Sequence, residues 1–193
     1  SCRMVAVSIF VNPTQFNDKN DLLNYPRCLP DDLDLLGSVL RENDIVFTPD
    51  DREMYPEEDK RVFNFGNLDN VMEALHRPGH FNGVAQVVSK LFNMVNPDIA
   101  FFGQKDFQQV AVIRELVRQM GSSVKIIACP IIREKDGLAM SSRNQLLEPK
   151  IRKEASVIYA SISSAAAKIS GLDIPSIKNY VKRKIEEKEG FRL

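Results

Sequence analysis

The chain has 193 residues, 26 basic against 26 acidic side chains, and three cysteines. That length suits one principal domain with an appendage, and the balanced charge supplies no long-range field for nucleic acid or an anionic membrane surface, so any anion must be held by local chemistry. Cys2, Cys28 and Cys129 show neither C-x-x-C spacing nor a nearby histidine cluster, so no disulfide framework or metal site is indicated and a reducing cytoplasm is expected. No apolar run of about 18 residues and no signal-peptide pattern is readable.

In chain order, "RMVAVSIFV" is a near-continuous β-branched and apolar run closed by "NPTQF", the pattern of a strand buried on both faces of a parallel sheet. Because a domain rarely begins with its central strand, further residues are expected before Ser1. Asp31 and Asp32 open a helix carrying Leu33, Leu36 and Leu40 at helical spacing, and "DIVFTP" follows as a strand, which completes a βαβ unit. Residues 50–67 read as an excursion from the sheet, and "NLDNVMEALHRPG" as a short helix stopped by Pro78 and Gly79.

Val84, Val87, Val88, Leu91 and Val95 form one face of a helix that ends before Pro97. "DIAFFG" is the next strand, Phe107 to Met120 the next helix and "SVKIIACPII" the last strand. The alternation predicts an α/β fold, a doubly wound parallel sheet with right-handed crossovers. Beyond Asn144 two helical segments, "PKIRKEASVIYASISSAAAKIS" and "IPSIKNYVKRKIEEKEG", follow without a strand between them. The chain stops at "FRL" where a new strand could begin, so the C-terminus is read as cut.

In a doubly wound fold the binding loops lie beyond the C-terminal ends of the strands. After the first strand, Asn12 and Gln15 can donate and accept hydrogen bonds, although on this stretch alone a Pro-led turn with polar decoration is the favoured account. After "DIAFF", Gly103 permits close backbone approach, Lys105 offers a compact cation and a helix N-terminus points the same way, together a phosphate cradle. The plainer account is that Asp106 caps the helix with Gln109 at N3; it leaves Lys105 without a task. His80, at the entrance of the long apolar helix, can donate to an anion, but a lone histidine at a helix start is more often structural and that reading is preferred on the residues alone. Asp136-Gly137 is a turn signal, after which Ser141, Ser142 and Arg143 present two hydroxyls and a donor fork. Neither G-x-G-x-x-G nor G-x-x-x-x-G-K-[ST] occurs, which argues against a dinucleotide Rossmann domain and a P-loop ATPase.

Taken together, "FVNPTQF", "YPR", "RPGHF", "GQKDFQQ" and "LAMSSRN", in this order over nearly the whole chain, resemble the pantoate–β-alanine ligase (pantothenate synthetase) family. The resemblance implies a Rossmann-like domain of nucleotidyltransferase type, here residues 1–146 and N-terminally incomplete, followed by residues 147–193 as a helical segment leading into a smaller domain. It implies condensation of pantoate with β-alanine through a pantoyl adenylate, with ATP as substrate and Mg²⁺ carried mainly on its phosphates. Met140, Ser141, Ser142 and Arg143 would contact ATP, Lys105 would neutralise phosphate charge, Asp106 would bind the ribose and Gly103 would lie against the nucleoside. Asn12, Gln15 and Gln108 or Gln109 would hold pantoate, with the family's K-D-Y-Q-Q spacing favouring Gln109. His80 would assist catalysis.

The family's acidic residue before the lysine is Gln104 here, and its tyrosine is Phe107; both changes keep size and imply tuning. The family's first signature loop, T-M-G-x-L-H-x-G-H, has no counterpart in the chain, so slow or absent pantothenate formation by these 193 residues alone is expected. A cytoplasmic homodimer acting on small molecules is the carried-over expectation. The alternatives are another small-molecule adenylyltransferase and a non-catalytic nucleotide-binding or dimerisation module.

Overall fold

Residues 2–193 are described by the computed structural model, and the contacts of the chain divide it into two units, Ser1–Pro130 and Ile131–Leu193. In the first unit β1 (Ala6–Ser8) leads through α1 (Lys19–Asn24) and α2 (Leu29–Gly37) to β2 (Ile45–Phe47). After α3 (Asp51–Met54) and the long α4 (His80–Val95) come β3 (Ile99–Gly103), α5 (Phe107–Gln119) and β4 (Lys125–Cys129). The pairings are parallel, Ala6 to Ile45 through Ser8 to Phe47 and Ile99 to Lys125 through Gly103 to Cys129. Among the described residues the ladders form two pairs, β1 with β2 and β3 with β4, rather than one continuous sheet.

Two expectations about strands are corrected. The run "RMVAVSIFV" contributes only three ladder residues, and none of them is buried. β3, expected as another apolar strand, likewise has no buried residue, because its apolar cover is one-sided. Ala100, Phe102 and Ile126 pack onto the core cluster around Val84, Val88, Val112, Ile113 and Leu116, whereas Phe101, which the pleat turns the other way, is 55% exposed. The start of β1 is held by Asp44, whose carboxylate accepts from the Val5 N–H at 2.8 Å and from the Arg41 guanidinium. Hydrogen bonds from Arg41 hold that carboxyl far below the usual carboxylate range.

The helices follow their sequence signals with three differences. α1 rises from a stretch read as polar loop, with Asp18 accepting from the Asn20 N–H as its cap. α3 arises inside the expected excursion because Asp50 and Glu53 form a reciprocal capping box. The helix expected over "NLDNVMEALHRPG" is instead two 3₁₀ turns, Gly66–Asn70 and Met72–Leu75, broken at an extended Val71 and at Met72 with φ 50°. The segment between α3 and these turns is pinned to α4. The Gln86 side chain donates to the carbonyls of Asp59 and Arg61 at 2.8 Å, and Asn82 accepts from the Phe63 N–H.

The second unit begins at Ile131, so the compact division precedes the expected one at 146/147. Residues 131–139 fold back on the helices that follow: Arg152 binds Asp136 at 2.5 Å, and the Arg133 guanidinium carbon lies 3.8 Å from the Tyr159 ring centroid. The first helical segment splits at Ala155 into α6 (Pro149–Glu154) and α7 (Ser156–Ala166), and α8 is Ile174–Glu186. α7 packs on α8 around buried Ala165 and Ile185, with a 2.8 Å hydrogen bond between Ser164 and Tyr180.

Candidate active site

The turn after β1, Pro13–Gln15, is held by its own protein contacts. Asn12 is 2% exposed and both ends of its amide are engaged. Its nitrogen donates to the Gly83 carbonyl at 3.2 Å and reaches the Gln15 side-chain oxygen at 3.4 Å. Its oxygen accepts from the Tyr55 hydroxyl at 2.7 Å and from Thr14. The turn lies directly on α4, where a Cβ on Gly83 would stand 2.3 Å from the Thr14 carbonyl oxygen. Glycine is required there by approach, since the helix tolerates its loss of rigidity only in exchange for that contact.

His80 opens α4 and is 5% exposed. Its Nδ1 is 2.8 Å from the Gln15 carbonyl oxygen, and because a carbonyl can only accept, Nδ1 carries the hydrogen. Burial pushes the imidazole below its ordinary range, with the nearby Arg77 charge adding to the effect. Arg77 donates to the same carbonyl at 3.3 Å. His80 and Arg77 therefore fix the backbone of Gln15, and the half-buried Gln15 side chain is presented from a held frame.

Beyond β3, Gly103, Gln104, Lys105, Asp106 and Phe107 are all exposed. The expected cap by Asp106 is corrected: it occupies the N-cap position of α5 without a side-chain cap hydrogen bond, and its carboxylate pairs with the Lys105 ammonium at 3.0 Å instead. That leaves the N-terminus of a 13-residue helix beside a cation, an arrangement that favours an anion. The two glutamines that follow are separated by burial. Gln108 is 3% exposed and fully employed, donating to the carbonyls of Leu68 and Val71 and accepting from the Glu73 N–H. Gln109 is half-buried on the next position, so of the two it has the freer side chain.

In the second unit, Ser141 caps the 3₁₀ turn Ser142–Leu146, its hydroxyl oxygen accepting from the Arg143 N–H at 3.3 Å. Met140, Ser142 and Arg143 are exposed and Ser141 is half-exposed. The Ser141 hydroxyl hydrogen remains available to a further acceptor, since the cap uses only its oxygen.

Within the first unit the structure thus gathers Asn12, Gln15 and His80 around one turn. Tyr55, Arg77 and Gly83 were missed by the sequence reading. Tyr55 lies in an aperiodic stretch, and nothing local marks it as a partner of Asn12, 43 residues away. A groove of about 360 Å³ beside the turn is lined by Asp51, Glu58 and Asp59 together with Arg52 and Tyr55. Its carboxylates make it unsuited to carboxylate or phosphate ligands. Among the described residues no group of three or more His, Cys, Asp and Glu gathers to hold a metal, and no helix is long and apolar enough to cross a membrane.

Parallel strand pairs, a polar turn after β1 and a lysine at an uncapped helix start after β3 make this an α/β protein with a candidate anion-binding loop. Comparison makes this specific. The family model for pantoate-beta-alanine ligase matches residues 1–192. A pantothenate synthetase from Bacteroides thetaiotaomicron is 49% identical over 98% of this chain and 67% of its own length. The crystal structure of pantothenate synthetase from Thermus thermophilus superposes with a TM-score of 0.91 at 39% identity, covering 98% of this chain and 69% of that one. Pantoate-beta-alanine ligase from Francisella tularensis, complexed with beta-gamma ATP and beta-alanine, gives 0.80 at 36% identity, covering 94% and 68%. The chain belongs to the pantoate–β-alanine ligase family, and spans about two thirds of the length of these relatives.

Proposed function

We propose that the chain carries the ATP- and pantoate-binding half of a pantothenate synthetase, which condenses pantoate with β-alanine through a pantoyl adenylate. The observation that carries this reading is the Lys105–Asp106 pair at the uncapped start of α5. An anion entering there takes the ammonium from Asp106 and meets the helix N–H groups, while the released carboxylate can accept from ribose hydroxyls. By the family resemblance, Ser141, Ser142 and Arg143 would supply further donors to the triphosphate, and Met140 and Gly103 would lie against the nucleoside. Mg²⁺ would be carried mainly by the ATP phosphates, in keeping with a protein donor set that is cationic and neutral rather than rich in carboxylates. When bound, it adds positive charge where the phosphoryl oxygens gain negative charge.

Gln15 and Gln109 hold pantoate, and Asn12 acts through Gln15 because its own polar atoms are already engaged. A pantoate carboxylate oxygen attacks the α-phosphorus, and the bond to pyrophosphate breaks. The amine of β-alanine then attacks the acyl carbon, the bond to AMP breaks and the amine proton is lost to solvent. Neither step needs a protein nucleophile; alignment and charge stabilisation suffice. His80, neutral and committed through Nδ1 to Gln15, serves by holding the pantoate turn rather than by proton transfer through that nitrogen. A homodimer working in the cytoplasm completes the proposal and rests on the resemblance.

Calorimetric titration of the chain with ATP and with pantoate is the test. ATP should bind the unaltered chain and bind Lys105→Ala more weakly, and pantoate should bind Gln15→Ala more weakly than the parent. A chain that takes up neither ligand, or two variants indistinguishable from the parent, refutes the assignment. Pantoate-dependent ATP–pyrophosphate exchange then reports whether the bound ligands react.

A further inference from the structure

We infer that Tyr159 is a positioning residue for the Met140–Arg143 loop, acting through the Arg133–Gly137 hairpin; the inference rests on that loop being the phosphate-binding loop proposed above. The loop is bracketed by its neighbours. At its entrance the Met140 N–H donates to the Ile132 carbonyl at 3.0 Å, and Arg133 bridges Ala139 in antiparallel register. At its exit the Asn144 N–H donates to the Ser141 carbonyl, and the Asn144 side chain returns to the Ala139 carbonyl, both at 3.0 Å. Whatever fixes residues 132–139 therefore fixes where the serines and Arg143 stand.

The hairpin is fixed from α7. The Arg133 guanidinium lies over the Tyr159 ring at 3.8 Å while its Nη1 donates to the Gly137 carbonyl at 3.1 Å. Gly137, at φ +92°, sits so close to the same ring that a Cβ there would be 2.6 Å from Tyr159 Cδ1. One aromatic ring thus touches both limbs of the hairpin, and a salt bridge between Asp136 and Arg152 ties the turn a second time. Tyr159 is 39% exposed, so it is not the packing anchor of its helix. The buried positions on α7 are Ser161 and Ala165. Its contacts go to the hairpin, and an arginine–aromatic stack of this kind suffices to bias a loop between populations.

The experiment compares Tyr159→Leu and Tyr159→Phe in the full 193-residue chain, with Arg133→Met as a variant that removes the stack without touching α7. Amide hydrogen exchange at Leu138, Met140 and Asn144 should quicken about tenfold in Tyr159→Leu and Arg133→Met, while α8 amides stay as in the parent. Tyr159→Phe, which keeps the ring, should restore the parent pattern. The ATP dissociation constant should rise about tenfold in the same two variants and return in Tyr159→Phe. Parent-like exchange at the three loop amides in both stack-breaking variants overturns the inference, and so does failure of Phe to rescue. A parent chain that binds no ATP refutes the functional reading instead, and the exchange data still decide the positioning.

Discussion

The turn at Pro13–Gln15 and the loop at Gly103–Asp106 both follow parallel strands of the same unit, yet they are built on opposite principles. The first is assembled by packing: Asn12 is buried, both ends of its amide are used, and Gly83 lets the backbone rest on α4. The second is exposed, and its cation and carboxylate are paired with each other at the surface. Surface pairs of that kind contribute little to stability. The difference teaches that stability and ligand chemistry are separately encoded here. If the ligands are placed as proposed, pantoate meets a rigid wall at the first, whereas the triphosphate supplies its own ordering charge at the second.

The comparison breaks most visibly at Gly83. Gly83→Ala drives a methyl into the Thr14 carbonyl and should lower stability by about 3 kcal/mol, read as a reduced urea midpoint, because overpacking without room to relax costs this much. A midpoint equal to the parent's would mean that the turn is not fixed by the helix. The opposite signature is expected at Lys105. Lys105→Ala should weaken ATP by about 2 kcal/mol, roughly 30-fold, and leave the urea midpoint in place.

Tyr55→Phe sharpens the contrast, since it removes one donor to buried Asn12 and keeps the ring. A loss of about 1 kcal/mol is expected, together with a higher pantoate KM in an active enzyme. The smallest effect is one of slope. Burial lowers the His80 pKa, so its neutral form is favoured by folding; that contribution is complete above the unfolded value of about 6.5 and is lost as pH falls below it. Urea midpoints measured from about pH 7.5 down to about pH 5.5 should fall more in the parent than in His80→Gln, and parallel curves would show that the ring is not held neutral.

Much of the fold was legible because α4 and α5 carry unbroken 3.6-residue patterns, and because β3 and β4 are bounded by Asp98, Gly103 and Pro130. The strand "RMVAVSIFV" was overread: its apolar letters predict burial, but burial depends on what covers each face, which no local pattern states. The "NLDNVMEALHRPG" helix failed for a conformational reason, Met72 adopting positive φ and Val71 turning extended. Capping was misjudged in both directions. Asp50 and Glu53 form a box that the aperiodic stretch concealed, while Asp106, which has the right spacing for one, spends its carboxylate on Lys105.

At the candidate site, residue type pointed to the loops, and the choice of Gln109 over Gln108 came from the family motif; the structure adds that Gln108 is buried and Gln109 half-buried. The second tier was not readable. Tyr55, Arg77 and Gly83 reach the Pro13–Gln15 turn from 41 to 69 residues away, and the contacts that matter are set by close approach in space. Tyr159 lies in the same class, because its hairpin partners Arg133 and Gly137 stand far from it in sequence.

Gly83 also sets limits for anyone wishing to toughen this protein against heat. Replacing helical glycine with alanine is a standard first move, worth about 0.5–1 kcal/mol where the backbone accepts it. Here two glycines in helices invite the same edit and call for opposite treatment. Gly37, at the end of α2, has nothing within 4 Å of an added methyl and no positive φ, so it is the safe target. Gly83 is the trap, and a thermostabilised variant chosen from helix propensity alone would press a methyl into the Pro13–Gln15 turn and lose stability there.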